Sequence, residues 1–247
     1  MSSKKLLFGG NKSFLRDLVA AYDFEGNAID ISGNGNNGTL VGSPTFPSGK
    51  NNLAVNFGND STDRYVNIAD SDSLSFTNGT NDLAFSISLW VNFSSFSSIG
   101  NWLVNKRNST NGGDEWQIIY YQNRLFFHKI HFNNKNIYQG VGTGLNPFNI
   151  NIWYHICYTD NGSGLISGCK LYINGVLSNS VQDSVGVYTR MNNGTQPIRI
   201  GMSGWQSHPN LKHRGLVDEL AIWKNRELTP TEVLELYNSG LGKFYPF

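Results

Sequence analysis

Charge is scarce in this sequence, and what there is cancels: 19 Lys and Arg stand against 18 Asp and Glu, 15% of 247 residues, for a net charge of +1. No basic run exceeds Lys4-Lys5, so capture of nucleic acid by charge is not expected. Cysteine is rarer still. Cys157 and Cys169 are too few for a disulfide scaffold, and free buried thiols facing the core from neighbouring strands are expected. No apolar run approaches the ~18 residues of a membrane span, so no membrane insertion is expected. The N-terminal "MSSKKLLFGGNKSF" offers only Leu6-Leu7-Phe8, short of the ~7–15 residues of a secretory signal. Enzyme signatures are missing too: there is no His-x-x-x-His helix, Gly-x-Ser-x-Gly elbow or phosphate loop.

What is abundant is glycine, at 27 residues, and aromatic side chains, at 13%. That is the profile of a loop-rich β protein with aromatic core layers. Residues 1–16 lack periodicity and read as an arm, and residues 17–247 as one domain. "LVAAYDF" (18–24) reads as the first strand, followed by a polar loop, "GNAIDISGNGNNGTL" (26–40). "NNLAVNF" (51–57) and "RYVNIA" (64–69) read as a strand pair. "LAFSISLWVNF" (83–93) alternates strictly, with Phe85, Ile87, Leu89 and Val91 on one side and Ser86, Ser88, Trp90 and Asn92 on the other. Further strands follow at 101–107, 115–122, 124–132, 135–142, 152–160, 168–179, 197–203 and 215–223. Asn123 marks one tight turn, and Asn174-Gly175 predicts a type I′ hairpin. The expectation is an all-β sandwich of two antiparallel sheets.

The chain then changes character. In "ELTPTEVLELY", Thr229 suits an N-cap, Pro230 the first helical position, and Glu232 completes a capping box. Val233, Leu234 and Tyr237 are spaced to share the covering face of one short C-terminal helix.

The ordered set "LVAAYDFEGNAIDISGNGNNGTL", "NLAVNF", "RYVNIADSDSL", "FSISLWVNF", "WYHICYT", "KLYINGV", "IRIGMS" and "GLVDELAIWKNRELTPTEVLELY" resembles the laminin G-like, concanavalin A-like lectin/glucanase superfamily. The resemblance spans roughly residues 18–238. It implies a jelly roll of two curved sheets, in agreement with the strand pattern.

Some members of that superfamily are glycoside hydrolases, which need two carboxylates ~5–10 Å apart. Their Glu-x-Asp-x-x-Glu strand pattern is not found here, and Asp218-Glu219, being adjacent, are expected on opposite faces. A non-catalytic protein is therefore expected. His128 and His131, three apart on a strand, also face opposite ways. Relatives often hold a structural Ca²⁺ between an Asp/Asn-rich loop and an acid of a later strand. That resemblance places Asp30, Asn36 and Asp218 as Ca²⁺ ligands, since the loop is rich in hard oxygen donors. The alternative is that Asp30 and Asn36 make Asx turns and Asp218 accepts backbone N–H bonds.

Trp102, Tyr138, Tyr188 and Trp205 lie near loops and are the candidates for stacking on sugar rings. Trp90, Trp153 and Trp223 sit within alternating strands and are expected in the core. The layout suggests a carbohydrate-binding or display module on the surface of a bacterial-virus particle, as a decoration or fibre. It would face cell-surface glycans and meet other virion or assembly subunits through the arm. A purely structural assembly protein and a secreted bacterial lectin are the alternatives.

Overall fold

The computed structural model describes residues 13–107, 113–204 and 211–247. Among them fifteen strands form. The first four are β1 (Leu18–Tyr22), β2 (Gly38–Val41), β3 (Val55–Asn56) and β4 (Tyr65–Ile68). Then come β5 (Ala84–Phe93), β6 (Asn101–Lys106), β7 (Trp116–Tyr121), β8 (Arg124–His131), β9 (Asn134–Gly142) and β10 (Trp153–Asn161). The last five are β11 (Cys169–Ile173), β12 (Val176–Leu177), β13 (Val181–Val185), β14 (Ile198–Ile200) and β15 (Gly215–Lys224), followed by helix α1 (Pro230–Tyr237).

The strands make two antiparallel sheets packed as a jelly-roll sandwich. The seven-stranded sheet runs β1-β15-β5-β10-β11-β12, with β3 also on β15. The eight-stranded sheet runs β13-β9-β8-β7-β6-β14-β4-β2. The main core lies between them. From β5 it takes Phe85, Ile87, Leu89, Val91 and Phe93, and from the facing sheet Trp116, Ile118, Tyr120, Leu125 and Phe127. Alternation in β5 thus works as read. Its other face is used as well: Ser86 caps the chain before α1, accepting from the Leu228 amide at 2.9 Å and donating to the Arg226 carbonyl at 3.0 Å.

That outer face of the seven-stranded sheet is sealed by α1. A second cluster there gathers Leu18, Cys157, Trp223, Leu228, Val233 and Leu236, together with Phe14. The capping box is formed, with Thr229 Oγ1 accepting from the Glu232 amide at 3.2 Å and Glu232 Oε2 accepting from the Thr229 amide at 2.9 Å. The buried stripe of α1 is Val233 and Leu236, whereas Leu234 is exposed.

Several sequence expectations need correction. Strands β3 and β4 are not partners: β3 joins β15, and β4 lies between β14 and β2 in the other sheet. The free thiols Cys157 and Cys169 are both buried, but on opposite faces of their sheet, Cys157 under α1 and Cys169 in the main core. Strands β2 and β13 were hidden in polar sequence. The turns are as read: Gln122-Asn123 and Asn174-Gly175 each have two positive φ values, as type I′ turns require.

The described end of the arm, residues 13–16, docks on the domain itself. Phe14 is fully buried, and its carbonyl accepts from the Trp223 indole at 2.7 Å. Residues 1–12, with Leu6, Leu7 and Phe8, lie outside the described residues.

Candidate functional site

The face of the eight-stranded sheet turned away from the core carries a groove of about 910 Å³. Alternation builds it. In β7, Trp116, Ile118 and Tyr120 enter the core, which leaves Gln117, Ile119 and Tyr121 on the groove side. In β8, Leu125, Phe127 and Lys129 turn inward, and Phe126, His128 and Ile130 turn outward. Trp102 from β6, Tyr138 from β9 and Asp183 from β13 complete the walls.

The floor is apolar: Trp102, Ile119, Phe126 and Leu211 form one cluster. Two glycines make room for it. In β9, Gly140 pairs with His128 and Gly142 with Phe126. A Cβ on Gly142 would stand 2.5 Å from the Phe126 ring, and one on Gly140 would meet the Phe127 carbonyl oxygen at 1.9 Å and the His128 ring at 2.8 Å. Bare backbone at both positions lets the two rings lie over β9.

Across this floor runs one connected line of polar groups. Arg107 is ion-paired with Asp114 (Nη2–Oδ2 2.8 Å), donates to Gln117 Oε1 at 2.5 Å, and stacks 5.6 Å from the Trp102 ring. Gln117 Nε2 stands 2.9 Å from His128 Nδ1, and His128 Nε2 stands 2.9 Å from Asp183 Oδ2. The amide nitrogen of Gln117 can only donate, so Nδ1 accepts and Nε2 carries the proton toward Asp183. The His128 hydrogen bond holds the Asp183 carboxyl below the usual carboxylate range, against the effect of burial. Burial, with Asp183 nearby, pushes the Tyr138 hydroxyl up. The Tyr138 ring lies 4.8 Å from that of His128. The groove therefore offers rings of fixed orientation and polar atoms whose rotamers are locked by one another.

Of the four candidate sugar-stacking residues, Trp102 and Tyr138 line the groove. Tyr188 does not. Its hydroxyl donates to the buried Asp82 at 2.7 Å, Lys129 Nζ lies 5.4 Å from its ring, and it packs against the core. Trp205 lies outside the described residues. Reading the sequence missed Arg107, Gln117, Phe126, His128 and Asp183. The available signal was that the non-core parity of β7 and β8 carries rings and amides where a plain solvent face would carry charge.

The Ca²⁺ expectation meets a different geometry. Asp30 and Asn36 do come together, but Asp30 Oδ1 accepts from the Ala21 and Ser32 amides (both 3.0 Å) and Oδ2 from the Asn36 amide (2.9 Å). Asn36 Nδ2 donates to the Val19 carbonyl at 2.7 Å. Asp218 belongs to another node: it accepts from the amides of Lys50 (2.9 Å), Asn51 (3.1 Å) and Glu219 (2.9 Å). Main-chain amides thus take three acceptor sites on each carboxylate, and the Asp30 and Asp218 networks share no hydrogen-bond partner. Among the described residues, no group of three or more His, Cys, Asp or Glu side chains is arranged to hold a metal.

The adjacent acids also depart from strict alternation. Glu219 has φ +49° at a β-bulge, and its Oε1 accepts from Asn51 Nδ2 at 2.9 Å, so both acids reach Asn51. Burial pushes the Asp218 carboxyl up to about 8, opposed by the Asn51 amide, and that of Glu219 up to about 7, opposed by the Asn51 side chain.

One pair resembles hydrolase machinery. Ser88 Oγ lies 2.8 Å from His155 Nε2. Both are buried on the α1 side, beside a cavity of only about 10 Å³, room for a single water. Burial drives His155 down to about 3, so it is neutral. A pair sealed in this way has no room for a substrate.

Two antiparallel sheets packed as a jelly roll are the fold shared by concanavalin A-like lectins and glucanases. The chain belongs to the concanavalin A-like lectin/glucanases superfamily, whose family model matches residues 60–234. No curated protein matches the sequence. Among solved structures, the chain is similar to the binding domain of Paraclostridial mosquitocidal protein 1 (22% identity, TM-score 0.68, 92% of this chain and 53% of that one). It is similar to the binding domain of botulinum neurotoxin DC in complex with SialylT (18%, 0.64, 91% and 52%). It is also similar to domain 4 of AbnA, an extracellular arabinanase of Geobacillus stearothermophilus, in complex with arabinotriose (19%, 0.56, 92% and 98%). The chain spans about half the length of the two toxin domains. These likenesses are of fold, and the toxin structures are named as binding domains, not catalytic ones.

Proposed function

We propose that this domain is a non-catalytic carbohydrate-binding module that lays an oligosaccharide along the groove of the eight-stranded sheet. The observation that carries the reading is the groove's construction. Half-buried Tyr138 presents ring surface over a floor in which Trp102 and Phe126 keep 5% and 6% of their surface exposed, and the line from Arg107 to Asp183 sets fixed hydrogen-bonding atoms beside it. Sugars need both, because their C–H faces stack on rings while their hydroxyls demand partners. Arg107 is already paired with Asp114, and His128 donates to the Asp183 carboxylate as a neutral ring, so neither offers a free cation to an acidic sugar. That favours neutral sugars over acidic ones. Asp183, about one-third exposed, is the acceptor best placed for a sugar hydroxyl.

The natural partner is a glycan displayed outside cells, and the domain acts there. A virus particle as its setting rests on sequence layout alone, and proteomics of purified particles would test it. The groove reading is tested by a glycan array followed by calorimetry on the best hit. Tyr138→Ala should weaken binding by at least tenfold with the melting curve intact, and neutral glycans should outnumber acidic ones among the hits. No glycan binding by the wild type, or binding indifferent to both Tyr138→Ala and Asp183→Ala, would refute it.

A further inference from the structure

Inside the sandwich, one lysine is enclosed with two aspartates. Lys129 on β8 of the eight-stranded sheet lies 2.9 Å from Asp160 Oδ2 on β10 of the other sheet. It lies 3.1 Å from Asp82 Oδ2, just ahead of β5. The side chains of all three residues are 0% exposed. Around them the Tyr158 ring stacks on Phe127 at 3.4 Å between centroids, and Phe85 stands 5.4 Å away. Nothing in the groove uses this cluster. A simple buried pair needs one carboxylate for one ammonium, and here there are two.

The donors are unevenly placed. Asp160 Oδ2 accepts from the Tyr158 hydroxyl at 2.8 Å and from the Cys169 thiol at 3.2 Å, and Lys129 Nζ stands 2.9 Å from the same oxygen as its ion partner. Asp82 accepts from the Tyr188 hydroxyl at 2.7 Å and the Met191 amide at 2.7 Å. The two donors converging on one oxygen of Asp160, the Tyr158 hydroxyl and the Cys169 thiol, are suited to stabilise negative charge gathering there during attack on its carbon. For an ordinary lone-pair angle, a nitrogen 2.9 Å from that oxygen lies about 3.7 Å from Cγ, one short slide from the ~3–3.5 Å of a near-attack pair.

We propose that Lys129 and Asp160 join in an isopeptide bond that ties the two sheets together, with Asp82 as the proton carrier. The Lys129 ammonium gives a proton to Asp82, and the neutral amine adds to Asp160 Cγ. Asp82 and the adduct then pass two of the three ammonium protons to one Asp160 oxygen, which leaves as water. The third proton stays on the amide nitrogen, and Asp82 ends as a carboxylate. No oxidant, reductant or other reactant enters, since an ammonium and a carboxylate become an amide and one water. Burial alone would lower the Lys129 pKa, but Asp160 and Asp82 hold it up, so the amine is freed only as its proton moves to a neighbour. That move keeps the net charge of the cluster at one negative and so adds no charge to the interior. Lys106, also fully buried, lacks this enclosure, because its partner Asp70 is 29% exposed and reaches water.

The test is the mass of the full chain under denaturing conditions, with a tryptic map. The expected result is a chain lighter by one water, with the peptide bearing Lys129 joined to the peptide bearing Asp160. Lys129→Arg and Asp82→Ala should each abolish both signatures, the second although both reacting groups remain. An unreacted mass in wild-type protein, even after prolonged incubation, would overturn the proposal whether or not the variants fold. So would water loss without the joined peptides, which would mean a cyclised aspartate elsewhere.

Discussion

Replacing Arg226 with alanine should destabilise this domain more than any other single change on its surface layer. Arg226 is 4% exposed and holds three parts of the chain at once. Its Nη1 donates to the carbonyls of Ser13 and of Arg16, the latter at 2.8 Å. Its Nη2 donates to Ser13 Oγ at 3.1 Å and to Glu232 Oε1, the acid of the capping box. Removal takes the guanidinium from both carbonyls and from Glu232, although the Ser13 carbonyl keeps the Arg16 amide at 3.2 Å and Glu232 Oε1 keeps the Ser13 hydroxyl at 2.9 Å. Hydrogen bonds to charged groups contribute about 1.5–3 kcal/mol each and do not add, and Glu232 can turn to water, so a loss of about 3 kcal/mol is expected. For a domain of this size that lowers the Tm by about 6–12 °C. Thermal melts followed by circular dichroism would measure it. Arg226→Lys should recover less than half, because one ammonium cannot reach all the acceptors. Glycan binding should survive at low temperature, since the groove belongs to the other sheet. A Tm within a degree of wild type would show that residues 13–16 and α1 hold without Arg226, and the reasoning would fail.

Gly142→Ala should reduce glycan binding at least tenfold with little loss of Tm, because the new methyl displaces the Phe126 ring from the floor; unchanged affinity by calorimetry would mean that Phe126 is not part of the binding surface. Glu219 supplies a pH signature. Its carboxyl is raised by burial to about 7 in the folded state, so the folded protein binds the proton more tightly than the unfolded chain, and stability falls as pH rises from about 4.5 through 7. Urea titrations should show a loss on the order of 1–3 kcal/mol across that window, reduced in Glu219→Gln, and an unaltered slope in the variant would disprove the assignment. EDTA and added Ca²⁺ should leave the Tm unchanged, since main-chain amides already hold the Asp30 and Asp218 carboxylates in two separate networks; a shift of several degrees would restore the idea of a shared ion.

The framework was legible because burial on one face writes a period of two into sequences such as "FSISLWVNF". The terminal helix was legible because Thr229, Pro230 and Glu232 carry local rules that need no partner. The groove was half legible. Trp102 and Tyr138 stood out as rings near strand ends, but Tyr188 looked the same in sequence, and only its bond to Asp82 sets it apart. Asp183 was invisible because "VQDSV" is too short and polar to declare a strand, and its meaning depends on pairing with β9. The bulge at Asp218-Glu219 was unreadable for a related reason. A single residue at positive φ breaks the alternation on which every strand argument depends.

Strand β8 assigns its alternate residues to different tasks. Leu125, Phe127 and Lys129 face the interior, and Phe126, His128 and Ile130 face the groove. A slip of one position would carry an ammonium into open water and an imidazole onto the aromatic layers, so the inward set fixes the register without help from the outward set. The outward positions are then free to vary. Over evolutionary time, or in the hands of an engineer, new recognition can be written into Phe126, His128 and their neighbours on β7 while the frame beneath them stays put.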